Sequence, residues 1–597
     1  MTALPPAPAP VQPFLGVERS LTGRRWQAAA GDERLALTLS QRLGLPEVIG
    51  RVLAARGVGL DDAADFLSPT LRAFLPDPGH LKDMDKAARR IAASVQSGET
   101  IGVFGDYDVD GATSSALLKL FLEAAGATVR VHIPDRIAEG YGPNLPALLR
   151  LKDEGIGLVV TVDCGTTAYA PLAGAAAAGL EIIVVDHHEA EPALPECYAL
   201  VNPNRLDEDS PHGHLAAVGV AFLLAVAVNR DLKTAGWYRN RPAPDLLQWL
   251  DVVALGTVCD VVPLTGVNRA LVAQGLKVMA RRGNAGLAAL ADVAGIKERP
   301  DAYHLGYVLG PRVNAGGRVG EAALGTRLLS SDDPGEAADI ARQLDGFNRD
   351  RQEIEAAVLL EAIEQVEGSP DDGLPLLLAA GENWHPGVIG IVAGRLKERY
   401  NRPACVVALE GAEGKGSGRS VAGLDLGAAV IAARQAGILK AGGGHAMAAG
   451  FTVARDRLPD FRAFVAERLS AQIAGELVPV LELDGALDVA GCTPALVETL
   501  KQVGPFGAAN PEPRFAVVAA RIVKADVVGS GHVRLILAGS GGQRCKAIAF
   551  RSADSELGHF LLRAQGSAVH LAGTLRVDTW QGNTNVQLVV DDAAPAR

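Results

Sequence analysis

The 597-residue chain is predicted to be an α/β protein in three parts. A doubly wound parallel-sheet domain comes first, one long helix joins it to a smaller α/β domain, and a β-barrel domain follows. Three observations predict this. Between about residues 97 and 330, short apolar runs alternate with helical stretches, the pattern of a parallel sheet covered on both faces. Ile340, Leu344, Phe347, Arg351, Ile354 and Val358 recur at helical spacing, which predicts one helix from about Glu336 to Val366 despite Gly346 inside it. Beyond about residue 480, five short apolar runs separated by turn residues read as a barrel.

Taken in order, residues 1 to about 25 are Pro/Ala-rich and expected to be disordered, and 26–95 read as short helices leading into the first strand. The strands of the first domain are expected at Ile101–Phe104, Thr128–Ile133, Leu158–Val162, Ile182–Val185 and Ala199–Asn202. In the next segment, strands are expected at Leu374–Ala380 and Pro403–Leu409, with a helix over Gly387–Tyr400 between them. The last segment places strands at Phe515–Val523, His532–Leu537, Cys545–Phe550, Ala568–Val577 and Asn585–Val590, an arrangement of the OB type that commonly binds oligonucleotides. The predicted divisions are therefore 1–95, 96–332, 333–368, 369–475 and 476–597.

Composition narrows the class of protein. Gly is abundant and aromatics are sparse, which suits an α/β enzyme with many tight strand-to-helix turns. The six cysteines are scattered, with no Cys-x-x-Cys pair to suggest zinc, and a reducing cytoplasm fits them best. No basic stretch followed by an apolar core marks a signal peptide, and the longest apolar run, Leu215 to Val228, falls short of the ~20 residues a bilayer requires. A net charge of −12 argues against nucleic acid as a partner, but its distribution does not. Within 514–576 there are nine basic residues against three acidic, a local excess of six suited to phosphates.

The chemistry is concentrated at strand ends. Gly105-Asp106-Tyr107-Asp108-Val109-Asp110-Gly111 follows the first strand, Asp163-Cys164-Gly165 the third and Asp186-His187-His188 the fourth. In an open parallel sheet, ligands bind outside the carboxyl ends of the strands at the switch in strand order, so these clusters are expected to converge. Carboxylates so crowded repel one another and raise one another's pKa unless cations neutralise them. Carboxylates with one imidazole suit Mn²⁺ or Mg²⁺ rather than zinc.

These runs resemble motifs of the DHH phosphoesterases. Ile133-Pro134-Asp135-Arg136-Ile137-Ala138-Glu139-Gly140-Tyr141-Gly142 and Pro311-Arg312-Val313-Asn314-Ala315-Gly316-Gly317-Arg318 resemble the RecJ branch of that family, and the resemblance runs from about Trp26 to the end. It implies DHH, DHHA1 and OB domains and a two-metal exonuclease acting 5′ to 3′ on single-stranded DNA in repair and recombination. It makes Asp163 the carboxylate between two ions, with Asp110, His187 and Asp260 completing one sphere and Asp108 serving the other. Where some relatives place a histidine ligand this chain has Phe104, and Asp106 is the expected substitute. His188 is expected to hydrogen-bond the substrate phosphate or to orient the site.

Substrate contacts are expected from Arg312, Asn314 and Arg318, in a glycine-rich turn able to cradle an anion, and from Arg419 and His445 in loops of the second lobe. Trp384 to Ala393 also matches the DHHA1 module. A small-substrate phosphodiesterase and a non-catalytic replication scaffold share the fold, but the appended barrel favours a polymer and the intact acidic motifs favour catalysis. Single-stranded DNA is the implied partner, with a single-strand-binding protein and a repair helicase beside it.

Overall fold

The computed structural model describes residues 12–136, 139–368, 373–473, 478–580 and 583–596. Residues 1–11 of the expected N-terminal tail, together with Ile137 and Ala138, lie outside these residues, whereas 12–25 are structured and not disordered as expected: Phe14–Gly16 form a 3-10 turn, and the amides of Leu21 and Thr22 donate to the Ala593 carbonyl (3.0 Å) and the Asp592 carboxylate (3.2 Å) of the last strand. Strands are numbered in chain order. After β1 (Arg25–Ala28), the first sheet comprises β2 (Ile101–Gly105), β3 (Val129–His132), β4 (Leu158–Val162), β5 (Glu181–Val185) and β6 (Ala199–Val201). All pairings are parallel and the order is β3-β2-β4-β5-β6, so the direction of winding reverses between β2 and β4. Both of these strands are buried along their whole length, as their mainly apolar sequences require, and the one hydroxyl, Thr161, donates to the Cys164 carbonyl at 2.9 Å. The acidic run after β2 and Asp163 after β4 therefore flank the switch point.

The long helix spans Pro334–Gly368, about 50 Å at roughly 1.5 Å per residue. Its first half contributes Ala337, Ile340, Ala341 and Leu344 to a core of the first domain, and its second half gives Val358 and Ala362 to the core of the second. It is thus a member of both cores. The second domain is a mixed sheet of β7 (Leu377–Glu382), β8 (Ala404–Glu410), β9 (Glu413–Arg419), β10 (Leu439–His445) and β11 (Ala448–Ala454), in the order β10-β11-β9-β8-β7. The glycine-rich segments expected as loops here are strands β9, β10 and β11. Gly416 lies under the Phe451 ring and Gly418 under Leu426, so side chains from neighbouring elements fill the space that glycine leaves.

The C-terminal domain contains β12 (Val480–Leu483), β13 (Gly485–Leu487), β14 (Arg514–Val528), β15 (His532–Ala538), β16 (Arg544–Ala549), β17 (Ala568–Trp580) and β18 (Asn583–Pro595). The order β14-β15-β16-β18-β17 closes through pairing of β14 with β17, which makes a five-stranded barrel. Its core is shared with the other end of the chain. Helices Glu33–Leu43 and Glu47–Ala55 supply Leu39, Ile49, Val52 and Leu53 to the barrel core, and β1 pairs in parallel with β12. Trp26, fully buried, donates its indole N–H to Asp592 at 2.9 Å. By contrast, the helix Met84–Ser97 packs into the core of the first sheet. The expected lead-in thus divides between two domains.

Arg269, fully buried in the helix Gly266–Met279, ties these parts together. Its guanidinium donates to the carbonyls of Phe66 (2.9 Å), Val503 (2.8 Å), Gly504 (2.6 Å) and Pro505 (3.4 Å) and stacks on the Phe66 ring. Burial pushes it down to about 10, still charged at neutral pH. Replacing Arg269 with methionine keeps the bulk but strands these carbonyls, and should cost about 3 kcal/mol. The expected result is roughly 100-fold faster native-state proteolysis between the lead-in helices and residue 84; cleavage at the wild-type rate would show that this contact does not hold the segment.

Candidate metal centre

Each site residue is held by the element it starts or ends. Asp108 caps the helix Val109–Ala124, its Oδ1 accepting from the amides of Asp110 (2.9 Å) and Gly111 (3.1 Å). Asp110 accepts from the amides of Ala217 (2.6 Å) and Val218 (2.9 Å) at the start of the helix Ala217–Thr234. Two helix N-termini therefore point their amides at this acidic cluster. Asp163 continues the ladder beyond β4, its amide bonded to the Val185 carbonyl at 3.0 Å, and then takes a φ of 60°. A non-glycine residue held there stores about 1–3 kcal/mol of strain, a cost met most often at functional sites. Asp260 sits at the end of the helix Leu250–Cys259.

The clusters converge as expected. His187 Nε2 lies 3.4 Å from Asp163, 3.6 Å from Asp260 and 3.9 Å from Asp110. Three groups of ligand atoms each fall within 4.8 Å: Asp110, His187 and Asp260; Asp106, Asp108 and Asp163; Asp163, His187 and His188. Asp163 is common to two of them. Asp106 Oδ1, His187 Nε2 and Asp260 Oδ2 are buried with no hydrogen-bond partner among the described residues. Buried polar atoms are almost always satisfied, so three such atoms facing one space, on carboxylates and one imidazole, fit hard divalent cations. Phe104 is instead buried in a hydrophobic core, and Asp106 stands with Asp108 and Asp163.

Electrostatics point the same way. Burial, and then the charge of Asp108, pushes Asp106 up to about 7 and Asp110 up to about 7. Burial, followed by Asp110 and Asp108, raises Asp260 to about 9, and Asp163 is also raised well above its usual range by burial and its acidic neighbours. Burial and the adjacent His188 push His187 down to about 4, which keeps its ring neutral and able to ligate. His188 differs: against burial, its hydrogen bond to Asp186 at 2.7 Å holds it up at about 9.

Asp186 is a positioning residue that the site predicted from sequence did not include. It accepts from the amides of Thr166 (3.0 Å), His187 (2.8 Å) and His188 (3.2 Å), and despite burial its bond to His188 keeps its carboxyl well below the ordinary range. Asn202 donates to the His188 carbonyl (2.8 Å) and Asn204 to that of His187, so the two histidines are pinned from both sides. The Asn202-Pro203-Asn204 run at the end of β6 was the available signal. Tyr141 also enters, its hydroxyl 3.3 Å from the Asp163 carbonyl and 3.5 Å from His188 Nε2.

The remaining expected residues separate. Arg312, Asn314 and Arg318 lie in a helix, Gly310–Val319, and not in a turn, so their amides are used within the helix and cradle no anion. The glycines permit close approach instead: a Cβ at Gly317 would collide with the Tyr107 carbonyl and one at Gly316 with that of Glu321. Arg312 turns to Asp345 of the long helix (3.0 Å), and Asn314 keeps a buried Oδ1 with no partner among the described residues. Arg318 reaches the second domain, donating to the Gly387 carbonyl at 2.8 Å.

Burial, with Arg136, Arg351 and Arg419 nearby, pushes Arg318 down to about 10, and Asp108 opposes this. Arg318 therefore lies within reach of the charges of both Asp108 and Arg419. Arg419 ends β9 and donates to Ser417 Oγ (3.1 Å). His445 pairs with Ala448 and Ala448 with Arg419, which puts His445 two strand spacings, about 10 Å, away. His385 lies near Arg136, whose charge adds to burial in lowering it.

Three family models match in chain order: the DHH family, N-terminal domain over residues 100–257, the DHHA1 domain over 373–471 and the RecJ OB domain over 483–592. Fold and site together define a metal-dependent hydrolase of the DHH class. The chain is 34% identical over 577 residues, 96% of its length and 71% of the relative's, to the single-stranded-DNA-specific exonuclease RecJ of Bacillus subtilis. It is 36% identical to that of Escherichia coli, over 92% of this chain and 96% of the other. The crystal structure of RecJ in complex with Mn²⁺ from Thermus thermophilus superposes with a TM-score of 0.79 at 31% identity, covering 96% of this chain and 80% of that one. The corresponding Mg²⁺ complex gives a TM-score of 0.74 at 29% identity, covering 96% and 79%. The chain belongs to the RecJ family.

Asp163→Ala should leave the fold intact, abolish hydrolysis and lower the number of Mn²⁺ ions bound per chain in calorimetric titration. Near-normal turnover at saturating Mn²⁺ would remove Asp163 from its place between the ligand groups.

Proposed function

We propose that this protein is a metal-dependent exonuclease that hydrolyses phosphodiester bonds of single-stranded DNA from the 5′ end, in repair and recombination. The observation that carries the reading is the convergence of carboxylates and one imidazole within 4.8 Å of one another, with Arg318 close enough to feel the charge of Asp108 and of Arg419. Asp106, Asp108, Asp110, Asp163, His187 and Asp260 would hold two Mn²⁺ or Mg²⁺ ions, with Asp163 between them. Bound there, the ions supply an activated water and charge stabilisation for in-line displacement. His188, kept cationic by Asp186, donates to a non-bridging phosphate oxygen as charge builds on it. Arg318 and Arg419, from opposite sides of the cleft, grip the terminal phosphate, and polarity follows from which end this pocket accepts. Arg136 adds charge to the same pocket, His445 lies farther along the sheet and Arg312 braces the long helix.

The long helix belongs to both cores, so the width of the cleft is set, and it admits one strand while excluding a duplex. The barrel provides the track for the rest of the strand. Register places Lys524, Ile536, Lys546, Gln587 and Arg576 abreast across β14, β15, β16, β18 and β17. The local basic excess is smaller than the sequence count implies. Arg514, Lys524, Arg534, Lys546 and Arg576 pair with Asp591, Asp526, Asp526, Asp578 and Glu512 respectively. These exposed pairs are weak, and phosphates can compete for the cations. A cytoplasmic setting with a single-strand-binding protein and a repair helicase completes the reading. Among the described residues, no helix is long and apolar enough to cross a membrane.

With Mn²⁺, single strands bearing a 5′-phosphate should be shortened from that end while duplexes of the same sequence persist; attack from the 3′ end alone would overturn the polarity. Arg419→Ala should slow cutting of 5′-phosphorylated strands about 100-fold and that of 5′-hydroxyl strands much less, and equal losses on both would show that Arg419 does not read the terminal phosphate. Deleting the barrel would expose the apolar face of the lead-in helices, so charge substitution is the cleaner test of the track. Lys524→Glu with Lys546→Glu should weaken binding of long single strands about 10-fold at low salt and flatten its dependence on salt; an unaltered salt slope would take the DNA off this face.

A further inference from the structure

Tyr303 and Tyr307 stack on one another one helical turn apart, their ring centroids separated by 5.2 Å and their planes by 27°. They are 54% and 74% exposed. Such a pair contributes a few tenths of a kcal/mol to a helix, a role that makes no use of the ring faces left in water. His304 braces Tyr303 edge-on and is itself held by Asp301 at 2.7 Å and Glu298 at 3.1 Å, so the pair stands on a fixed base.

The helix determines where the pair stands. Helical geometry continues from Tyr303 through a π-helical segment, His304–Leu309, into Gly310–Val319. Segments of that kind recur at functional sites. Cys259 donates to the Leu305 carbonyl at 3.4 Å, and a Cβ at Gly310 would strike the same sulfur, so Asp260, the next residue, lies beside this stretch. Gly317 abuts Tyr107, between Asp106 and Asp108, and Arg318 follows. Along one axis the order is therefore the tyrosine pair, Asp260, the Asp106/Asp108 side of the metal centre, and Arg318. Tyr307 and Arg318 are about 16 Å apart along it.

We propose that Tyr303 and Tyr307 form a stacking platform for bases on the 3′ side of the scissile phosphodiester. This rests on the exonuclease reading: a strand with its 5′-phosphate at Arg318 and Arg419 and its first linkage at the metal centre continues toward the pair. The exposed ring faces accept any base, which gives grip without sequence preference. Val261, 71% exposed and adjacent to Asp260, adds apolar surface to the same rim.

The test walks a single abasic site along a 5′-phosphorylated 12-nucleotide strand and measures KM with Mn²⁺ for the wild type and for Tyr303→Ala/Tyr307→Ala. In the wild type, an abasic site at one or two positions near the 5′ end should raise KM about 10-fold. The double variant should show that loss on the intact strand, and the abasic site should then add little. Tyr303→Phe/Tyr307→Phe should behave as the wild type, because the ring face is kept. Tyr307→Leu keeps the apolar bulk and repeats the test should the double variant alter the unfolding temperature. Penalties that multiply at every position, or a phenylalanine variant as weak as the alanine one, would overturn the platform. A wild-type enzyme that leaves 5′-phosphorylated single strands uncut would overturn the exonuclease reading itself.

Discussion

Like charges gathered away from solvent are the constraint around which this molecule is arranged. Two carboxylates about 4 Å apart repel by roughly 4 kcal/mol at an effective dielectric of 20, and here Asp106, Asp108, Asp110, Asp163 and Asp260 share one small region. Such a cluster persists only where it is protonated or neutralised and where rigid elements hold it open. The fold supplies the rigidity. Strands β2 and β4 deliver their ends to the switch point, and two helices turn their N-terminal amides toward the cluster, spreading positive potential where it is most needed. Cations then complete what the amides begin.

Precision at this centre depends on pieces far from it. The helix Gly310–Val319 lies against the Tyr107 carbonyl through Gly317, is tied to the long helix by Arg312 and Asp345, and touches the second domain through Arg318. The loop after Asp260 is fixed in turn, since the Leu264 amide donates to the Ala508 carbonyl of the segment leading into the barrel at 2.9 Å. Arg269 locks that segment and the lead-in to the same domain. Both halves of the metal centre are therefore braced by contacts between domains, and a shift of the barrel would be felt at Asp260.

Much of this could be read in the sequence where local patterning decides the outcome. The inner parallel strands β2, β4 and β5 are short, mainly apolar runs each followed by an Asp, which places Leu158–Val162 to the residue and the acidic clusters with it. The long helix was legible because its apolar spacing repeats over many turns. Strands β9 to β11 were not, because glycine carries no strand preference and their stability comes from Phe451 and Leu426 covering them. The helical Gly310–Val319 was misread as a turn for a related reason: its glycines serve close packing against Tyr107 and Glu321, which only the assembled fold reveals. Asn202, Asn204 and Asp186 act through backbone atoms of a loop, and the carboxylates that pair with the barrel's cations come largely from other strands. Long-range partners of this kind leave no periodic mark.

The pairing of β1 with β12 joins residues separated by most of the chain, and this bears on how the protein is made. Trp26 and the apolar faces of the two helices that follow leave the ribosome long before their partners in the barrel are translated. At roughly 5–20 residues per second, those surfaces wait on the order of 20–90 s for residue 480. During that interval the nascent chain carries an unsatisfied hydrophobic face while the parallel sheet behind it can already fold. Chaperone demand should thus fall on the segment from Trp26 to Ala55 while the rest is made, and its burial is a late act of folding that waits for the barrel.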